Sequence, residues 1–196
     1  MKDDVPLVLA SSSPRRLALL RQVGVEPLRI LPPEVDEAPL KRELPRQHAL
    51  RVAVDKLNAA LGALGDDAAF VIAADTVVAC GRRILPKAVD RATAERCLQL
   101  LSGRRHTVIG VVAVADPARR IRTRLVSTRV RFKRLERSEI DRYLDSDEWR
   151  GKAGGYAIQG RAEAFVLQIN GSYSNVVGLP LAETVNLLRG LGWTGS

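Results

Sequence analysis

Aromatic residues are scarce in this chain, at 4% of the sequence, so its core must be built from Leu, Val, Ile and Ala. The same scarcity argues against a stacking platform for single-stranded nucleic acid, which needs aromatic rings under successive bases. Cysteine and histidine are almost missing. Cys80 and Cys97 form no CxxC, no Cys/His pairing occurs, and His48 and His106 lie far apart. A structural zinc site is therefore not expected. No apolar run approaches the roughly 20 residues of a membrane span. The opening MKDDVPLVLA is too acidic, and its apolar run too short, for a signal peptide. These absences predict a cytoplasmic protein with free thiols and no membrane contact, in which the N-G-S at Asn170 reads as a turn. The common phosphate-loop patterns are also absent. There is no GxGxxG, and GKAGG at 151–155 is not a Walker A loop: no Gly stands five residues before Gly151, and Ala153 replaces the Ser or Thr after the lysine. Repeats, low-complexity segments and long linkers are absent too.

What remains is a chain of 196 residues, 46% hydrophobic, which suits one domain over residues 1–196 with a real core. The formal net charge of +9 favours anionic partners such as nucleotides, although a generally Arg- and Ala-rich composition produces the same balance. A short strand, PLVLA (6–10), leads to a helix with Ser13 at its N-cap and Pro14 at its first position, closed by Gly24. PLRIL (27–31) reads as a second strand, and 32–45 as a Pro-rich acidic loop. The longest helix is expected from Gln47 to about Leu64. AAFVIAA (68–74) is a buried strand ending at Asp75-Thr76, with VVAC (77–80) after it. Asp90 caps a helix over 91–101. Residues 104–116 and 119–135 form a hairpin across Asp116-Pro117, with a bulge near 125 where the apolar alternation changes phase. A short helix (138–147), a Gly-rich loop (149–160), a strand (162–169), a loop to Pro180 and a final helix (181–192) complete the chain. Strands and helices intermix, which points to α/β or α+β around a mixed sheet.

Three places can carry chemistry. SSSPRR joins a strand to a helix start, where backbone N–H groups and serine hydroxyls suit an anion. Arg15 and Arg16 oppose the helix dipole there, at about 0.3–1 kcal/mol each. A phosphate would reverse that sign through paired hydrogen bonds, whereas an ordinary Ser-Pro helix start would leave both arginines in solvent. Asp75 can hold a metal ion or take a proton from water, or simply close a strand. Glu34, Asp36 and Glu37 form an acidic loop that suits a hard cation or merely faces solvent. Lys56 and Lys87, each alone an ordinary surface lysine, would with Arg16 make a cradle for a polyphosphate.

In order along the chain stand ASSSPRR, EVDE, VDK, AADTVV, SGRRHTV, KAGGYAIQG and NGSYSNVVGLPL. This series resembles the Maf family from about residue 6 to residue 189. The resemblance implies an α/β fold like that of the inosine triphosphate pyrophosphatases, an elongated twisted mixed sheet flanked by helices, with two lobes around a cleft. It implies a hydrolase that cleaves between the α and β phosphates of a nucleoside triphosphate, with Mg²⁺ or Mn²⁺. By that resemblance Asp75 is the catalytic proton acceptor. Ser11, Arg16, Lys56 and Lys87 bind phosphate, and Glu37 joins Asp75 at the metal. Arg15, Thr76 and Gln159 are similar to the positions that mark dTTP/UTP hydrolases, where the 7-methyl-GTP type shows Trp, Gln and Glu. A glutamine offers the donor and acceptor that a pyrimidine O4 and N3–H edge needs. Two positions depart from the family: LPKAVD stands for GKPxD around Lys87, and Gly110 replaces a threonine. A rival of another class is a non-catalytic nucleotide- or nucleic-acid-binding regulator of septum formation. Nucleic acid is not the expected partner, and a homodimer stays open.

Overall fold

In the computed structural model, which describes residues 5–195, FVIAADTVVAC forms one unbroken strand, and the sheet is arranged around it. In chain order the first elements are β1 (Leu7–Ala10), α1 (Pro14–Gln22), β2 (Arg29–Ile30), α2 (Pro45–Leu64), β3 (Phe70–Cys80), β4 (Arg83–Leu85) and α3 (Arg91–Leu101). Then come β5 (Arg105–Ala115), β6 (Ile121–Phe132), α4 (Arg137–Leu144), a 3₁₀ turn (Arg161–Phe165), β7 (Val166–Asn170), α5 (Tyr173–Val177) and α6 (Leu181–Gly190). The seven strands make one mixed sheet in the order β2-β1-β3-β5-β6-β7, and β4 pairs with β3 off this path. The mixed α/β architecture expected from the sequence is therefore present.

β3 uses its two edges differently. One edge pairs without interruption with β5, from Val71↔Ala115 to Ala79↔Thr107. The other edge is shared. β1 runs parallel to it from Leu7↔Phe70 to Ala10↔Ala73, and β4 joins antiparallel only from Val78↔Leu85 onward. Asp75 and Thr76 lie in the interval between these partners. The sequence reading closed a strand at Asp75-Thr76; in fact both residues sit in mid-strand, because the antiparallel partner β5 carries β3 straight through. What ends there is β1.

Each face of the sheet has its own cover. The side chains of Val71, Ala73, Val77 and Ala79 pack towards α2, with Ala49, Ala53, Leu57, Ala60 and Leu64 supplying its apolar stripe. The alternate residues Phe70, Ile72, Ala74 and Val78 join the larger cluster on the other face, built with α1, α3, α4 and α6. This two-sided cover corrects the bulge expected near 125. The β5–β6 register runs unbroken from Arg105↔Arg131 to Ala115↔Ile121. Ile121 and Leu125 pack with the α2 layer, while Val130 and Phe132 pack into the opposite cluster. The apolar phase changes because the covering layer changes sides. The irregularity lies instead between Arg131 and Phe132, against β7.

Other boundaries shift for local reasons. α2 begins at Pro45, where proline fits a first helical position, and the Gln47 side chain accepts from Leu44 N–H at 3.2 Å. β2 is only two residues long, hemmed by Pro27 and Pro32. Ser13 occupies the N-cap of α1 without a side-chain cap bond. Asp90 does cap α3, accepting from Thr93 N–H at 2.7 Å. Residues 162–165, the start of the strand expected over 162–169, instead fall in a 3₁₀ turn (Arg161–Phe165) that buries Ala162 and Phe165 three positions apart. The expected loop 170–180 contains α5, capped by Ser172, whose hydroxyl accepts from Asn175 N–H at 3.2 Å. Among the described residues no helix is long and apolar enough to cross a membrane.

His106 on β5 ties the glycine-rich loop to the sheet. Its Nε2 lies 2.8 Å from the Tyr156 hydroxyl, and both rings pack edge-on with Phe132. Burial pushes the imidazole down to about 4 from its ordinary 6.5. The folded protein therefore binds fewer protons than the unfolded chain between those values. The contribution of this group is complete above pH 6.5 and is lost as pH falls towards 4, by on the order of 3 kcal/mol. Urea unfolding across pH 4–7 should show this slope in the wild type and a flatter one in His106→Gln.

Candidate active site

Because side chains alternate along a strand, Asp75 and Thr76 project to opposite faces of the sheet. Asp75 turns towards α2 and meets Lys56, whose Nζ lies 2.8 Å from Asp75 Oδ1. Lys56 sits on the buried stripe of α2 and is itself buried, as is Asp75. The same ammonium lies 3.0 Å from Glu37 Oε1, and the other Glu37 oxygen is ion-paired with Lys87. Two carboxylates thus converge on one lysine. Glu37 is held there from behind: Arg51 donates to Ala38 O at 2.9 Å and to both Glu43 oxygens, which docks the acidic loop on α2. The Arg51 ion pair brings Glu43 down to about 2. Glu34 and Asp36 are exposed, so only one of the three loop carboxylates reaches the site.

Thr76 turns the other way and meets Arg16. The guanidinium donates from Nη2 to Thr76 Oγ1 at 3.3 Å, from Nη1 to Ser11 Oγ at 3.1 Å and from Nε to Gly178 O at 2.9 Å. Arg15 Nε donates to Val177 O at 3.3 Å. Burial pulls both guanidiniums below their ordinary value, and in Arg16 the nearby Asp75 opposes that pull. Ser11 Oγ also accepts from Ser13 N–H at 3.1 Å, which ties the start of α1 to the same hydroxyl.

The interval on β3 opens into a cleft of about 330 Å³. All nine positions to which the family resemblance gave a role line it, namely Ser11, Arg15, Arg16, Glu37, Lys56, Asp75, Thr76, Lys87 and Gln159, whereas Glu34 and Asp36 do not. Arg150 and Lys152 line it as well, and the sequence reading gave them no role. Their signal was the Gly-rich loop at 149–160, whose GKAGG stretch is unlike a Walker motif. Six cations therefore face two carboxylates across the cleft, which suits a polyanion. Among the described residues no group of three or more His, Cys, Asp or Glu is placed to hold a metal ion alone. Asp75 and Glu37, with their oxygens around one cation already, fit the alternative in which two carboxylates would share Mg²⁺ with oxygens of a bound polyanion.

The pattern described as Maf-like protein matches residues 6–191. The chain belongs to the Maf family. It is 59% identical over 187 residues to a dTTP/UTP pyrophosphatase of Paramagnetospirillum magneticum, covering 95% of this chain and 97% of that protein. It is 58% identical over 188 residues to a dTTP/UTP pyrophosphatase of Caulobacter vibrioides, covering 95% and 96%. Among solved structures, a HAM1 protein from Coxiella burnetii superposes with a TM-score of 0.51 at 14% identity, over 95% of this chain and 99% of that one. That likeness concerns the fold alone.

Within this Maf domain Lys56 satisfies two carboxylates at once. Removing one partner from a buried pair leaves an uncompensated charge, at about 3–5 kcal/mol. Lys56→Met should lose stability on that scale. Asp75→Asn should lose much less, since Lys56 keeps Glu37 and the amide oxygen. Chemical denaturation of the two variants compares them directly.

Proposed function

We propose that this chain hydrolyses dTTP and UTP to the nucleoside monophosphate and pyrophosphate, acting in the cytoplasm. The substrates named for relatives at 54–59% identity over nearly the whole chain support this reading. The observation that carries it to a mechanism is the Asp75–Lys56–Glu37 bridge on the floor of a cationic cleft.

The triphosphate lies along that cleft. Arg16, Ser11 and the start of α1 hold phosphate oxygens on one side, and Lys56 and Lys87 hold them on the other. Asp75 receives the proton of the attacking water as its oxygen bonds to the α phosphorus. The α–β bridging bond breaks, and its electron pair leaves with pyrophosphate, whose developing charge the lysines and Arg16 stabilise. Mg²⁺ or Mn²⁺, held by Asp75 and Glu37, would supply further neutralisation of the phosphates. Gln159, exposed at the rim, presents an amide donor and acceptor to the pyrimidine edge. Thr76 acts on selectivity through its bonds to Arg16 and Gly178, to which its hydroxyl is committed.

Pyrophosphate release from a panel of nucleoside triphosphates, with and without Mg²⁺, tests the reading. The wild type should release it fastest from dTTP and UTP, and only with metal. Asp75→Asn should fall by about two orders of magnitude or more while staying folded. Near-wild-type release from that variant would sink the assignment of Asp75. Gln159→Glu should shift the order of preference away from dTTP and UTP; an unchanged order removes Gln159 from base recognition.

A further inference from the structure

The cations of the cleft fall into two groups. Lys56 and Lys87 are paired with Asp75 and Glu37, and Arg150 with Asp147 at 3.0 Å. Arg15, Arg16 and Lys152 donate only to neutral oxygens, Lys152 to Arg150 O at 3.1 Å. No carboxylate among the described residues lies within ion-pair distance of these three.

Lys152 is held in place by backbone. Gly151 N–H donates to Ala88 O at 2.8 Å, Ala88 N–H to Lys152 O at 3.0 Å and Gly154 N–H to Pro86 O at 3.0 Å. Lys87 and Ala153 face each other in this short antiparallel ladder. Two glycines press it onto the protein: a Cβ on Gly154 would lie 2.8 Å from the Val78 side chain, and one on Gly155 3.1 Å from the Ala94 backbone. Both have φ of +69°, which also favours glycine. Lys87 and Lys152 thus occupy adjacent register positions on a fixed clamp at the wall of the cleft that both line. Lys87 goes to Glu37. Arg15 lines the same cleft, and burial together with that like charge pulls the Lys152 ammonium below the ordinary lysine value.

We propose that Lys152 and Arg15 hold the phosphate that stays with the nucleoside, so that Lys152 binds the α phosphate of the substrate and of the monophosphate product. Two like charges brought together and partly desolvated without a carboxylate are costly until an anion joins them. The neighbours decide which end of the substrate lies here. Arg15 and Gln159 are two of the three positions tied to the choice of nucleotide, and Gln159 lies on the same loop as Lys152. The carboxylates that would share metal with the leaving pyrophosphate are paired with Lys56 and Lys87, and neither is within ion-pair distance of Lys152. The inference rests on the pyrophosphatase reading for the identity of the ligand.

Calorimetric titration of UMP and of inorganic pyrophosphate into the wild type, Lys152→Met and Lys152→Arg, each with Mg²⁺, tests it without requiring turnover. Lys152→Met should weaken UMP about tenfold or more, as expected for one charge-assisted hydrogen bond, and pyrophosphate by less than about twofold. Lys152→Arg should recover most of the UMP affinity. In kinetics kcat/KM for UTP should fall about tenfold or more in Lys152→Met and recover in Lys152→Arg. The melting temperature of the unliganded Lys152→Met should not fall, because the clamp uses only the backbone of residue 152. Unchanged UMP binding in Lys152→Met would overturn the proposal, and so would equal weakening of UMP and pyrophosphate. Failure of the pyrophosphatase reading would appear separately, as no release of pyrophosphate from UTP by the wild type.

Discussion

The active cleft exists because one edge of β3 is unpaired between Ala73 and Val78. A strand sends consecutive side chains to opposite faces, and in a filled sheet those two faces never meet. Here β1 has ended and β4 has not yet begun, so Asp75 on the α2 face and Thr76 on the α1 face open into the same space. The uninterrupted β5 pairing on the other edge keeps β3 straight across the interval. Each flank of the interval then contributes the residues just beyond its own strand: the serines and arginines after β1, and Lys87 after β4. A buried Lys–Asp pair is a doubtful source of stability, since desolvation offsets much of its attraction. Its presence at this interval is better explained by the chemistry it serves.

The α1 side depends on Gly110. In register Gly110 is opposite Thr76, on the same face of the sheet. The Asn175 side chain fills the space where a Cβ would stand, with Oδ1 only 1.9 Å from that position. From there its amide donates to Val108 O at 3.2 Å and to Thr128 Oγ1 at 3.1 Å, which seats α5 on the sheet. The end of α5 supplies the Val177 and Gly178 carbonyls that Arg15 and Arg16 use. The departure from the family's threonine is thus matched by the close approach of the element that orients both arginines. At 110 itself there is no hydroxyl, and the space a side chain would take belongs to Asn175.

The ordered motifs located the cleft residues well, since each of them lines the cleft. Local pattern alone did less, for identifiable reasons. Lys56 looked like a surface lysine, yet it falls in step with Ala49, Ala53, Ala60 and Leu64, a stripe that marks it as buried. Asp75 looked like a strand end because a charge interrupts an apolar run, and the partner that continues the strand is 36 residues further on, at Val111. The phase change in β6 looked like a bulge because periodicity within one strand does not reveal which layer covers it. Lys152 was passed over because its significance comes from the ladder with residues 86–88, a contact between segments remote in sequence.

Arg15 and Arg16 remain misplaced by the rule that cations disfavour a helix N-terminus, each at about 0.3–1 kcal/mol. The geometry shows where compensation comes from before any ligand binds. The Arg16 fork joins three segments at once, reaching Ser11 beside β1, Thr76 on β3 and Gly178 after α5. A lysine has one nitrogen and could not span them, so charge alone does not account for arginine here. Of the five N–H donors of a guanidinium, those three bonds leave two, both on the terminal nitrogens. The residue that locks the three segments together therefore keeps donors for an anion, and the lock and the phosphate contact belong to one planar group. Arg15, with a single weak bond to Val177 O, is committed to no such lock. The two adjacent arginines differ in task because only one of them holds the fold at the interval on β3.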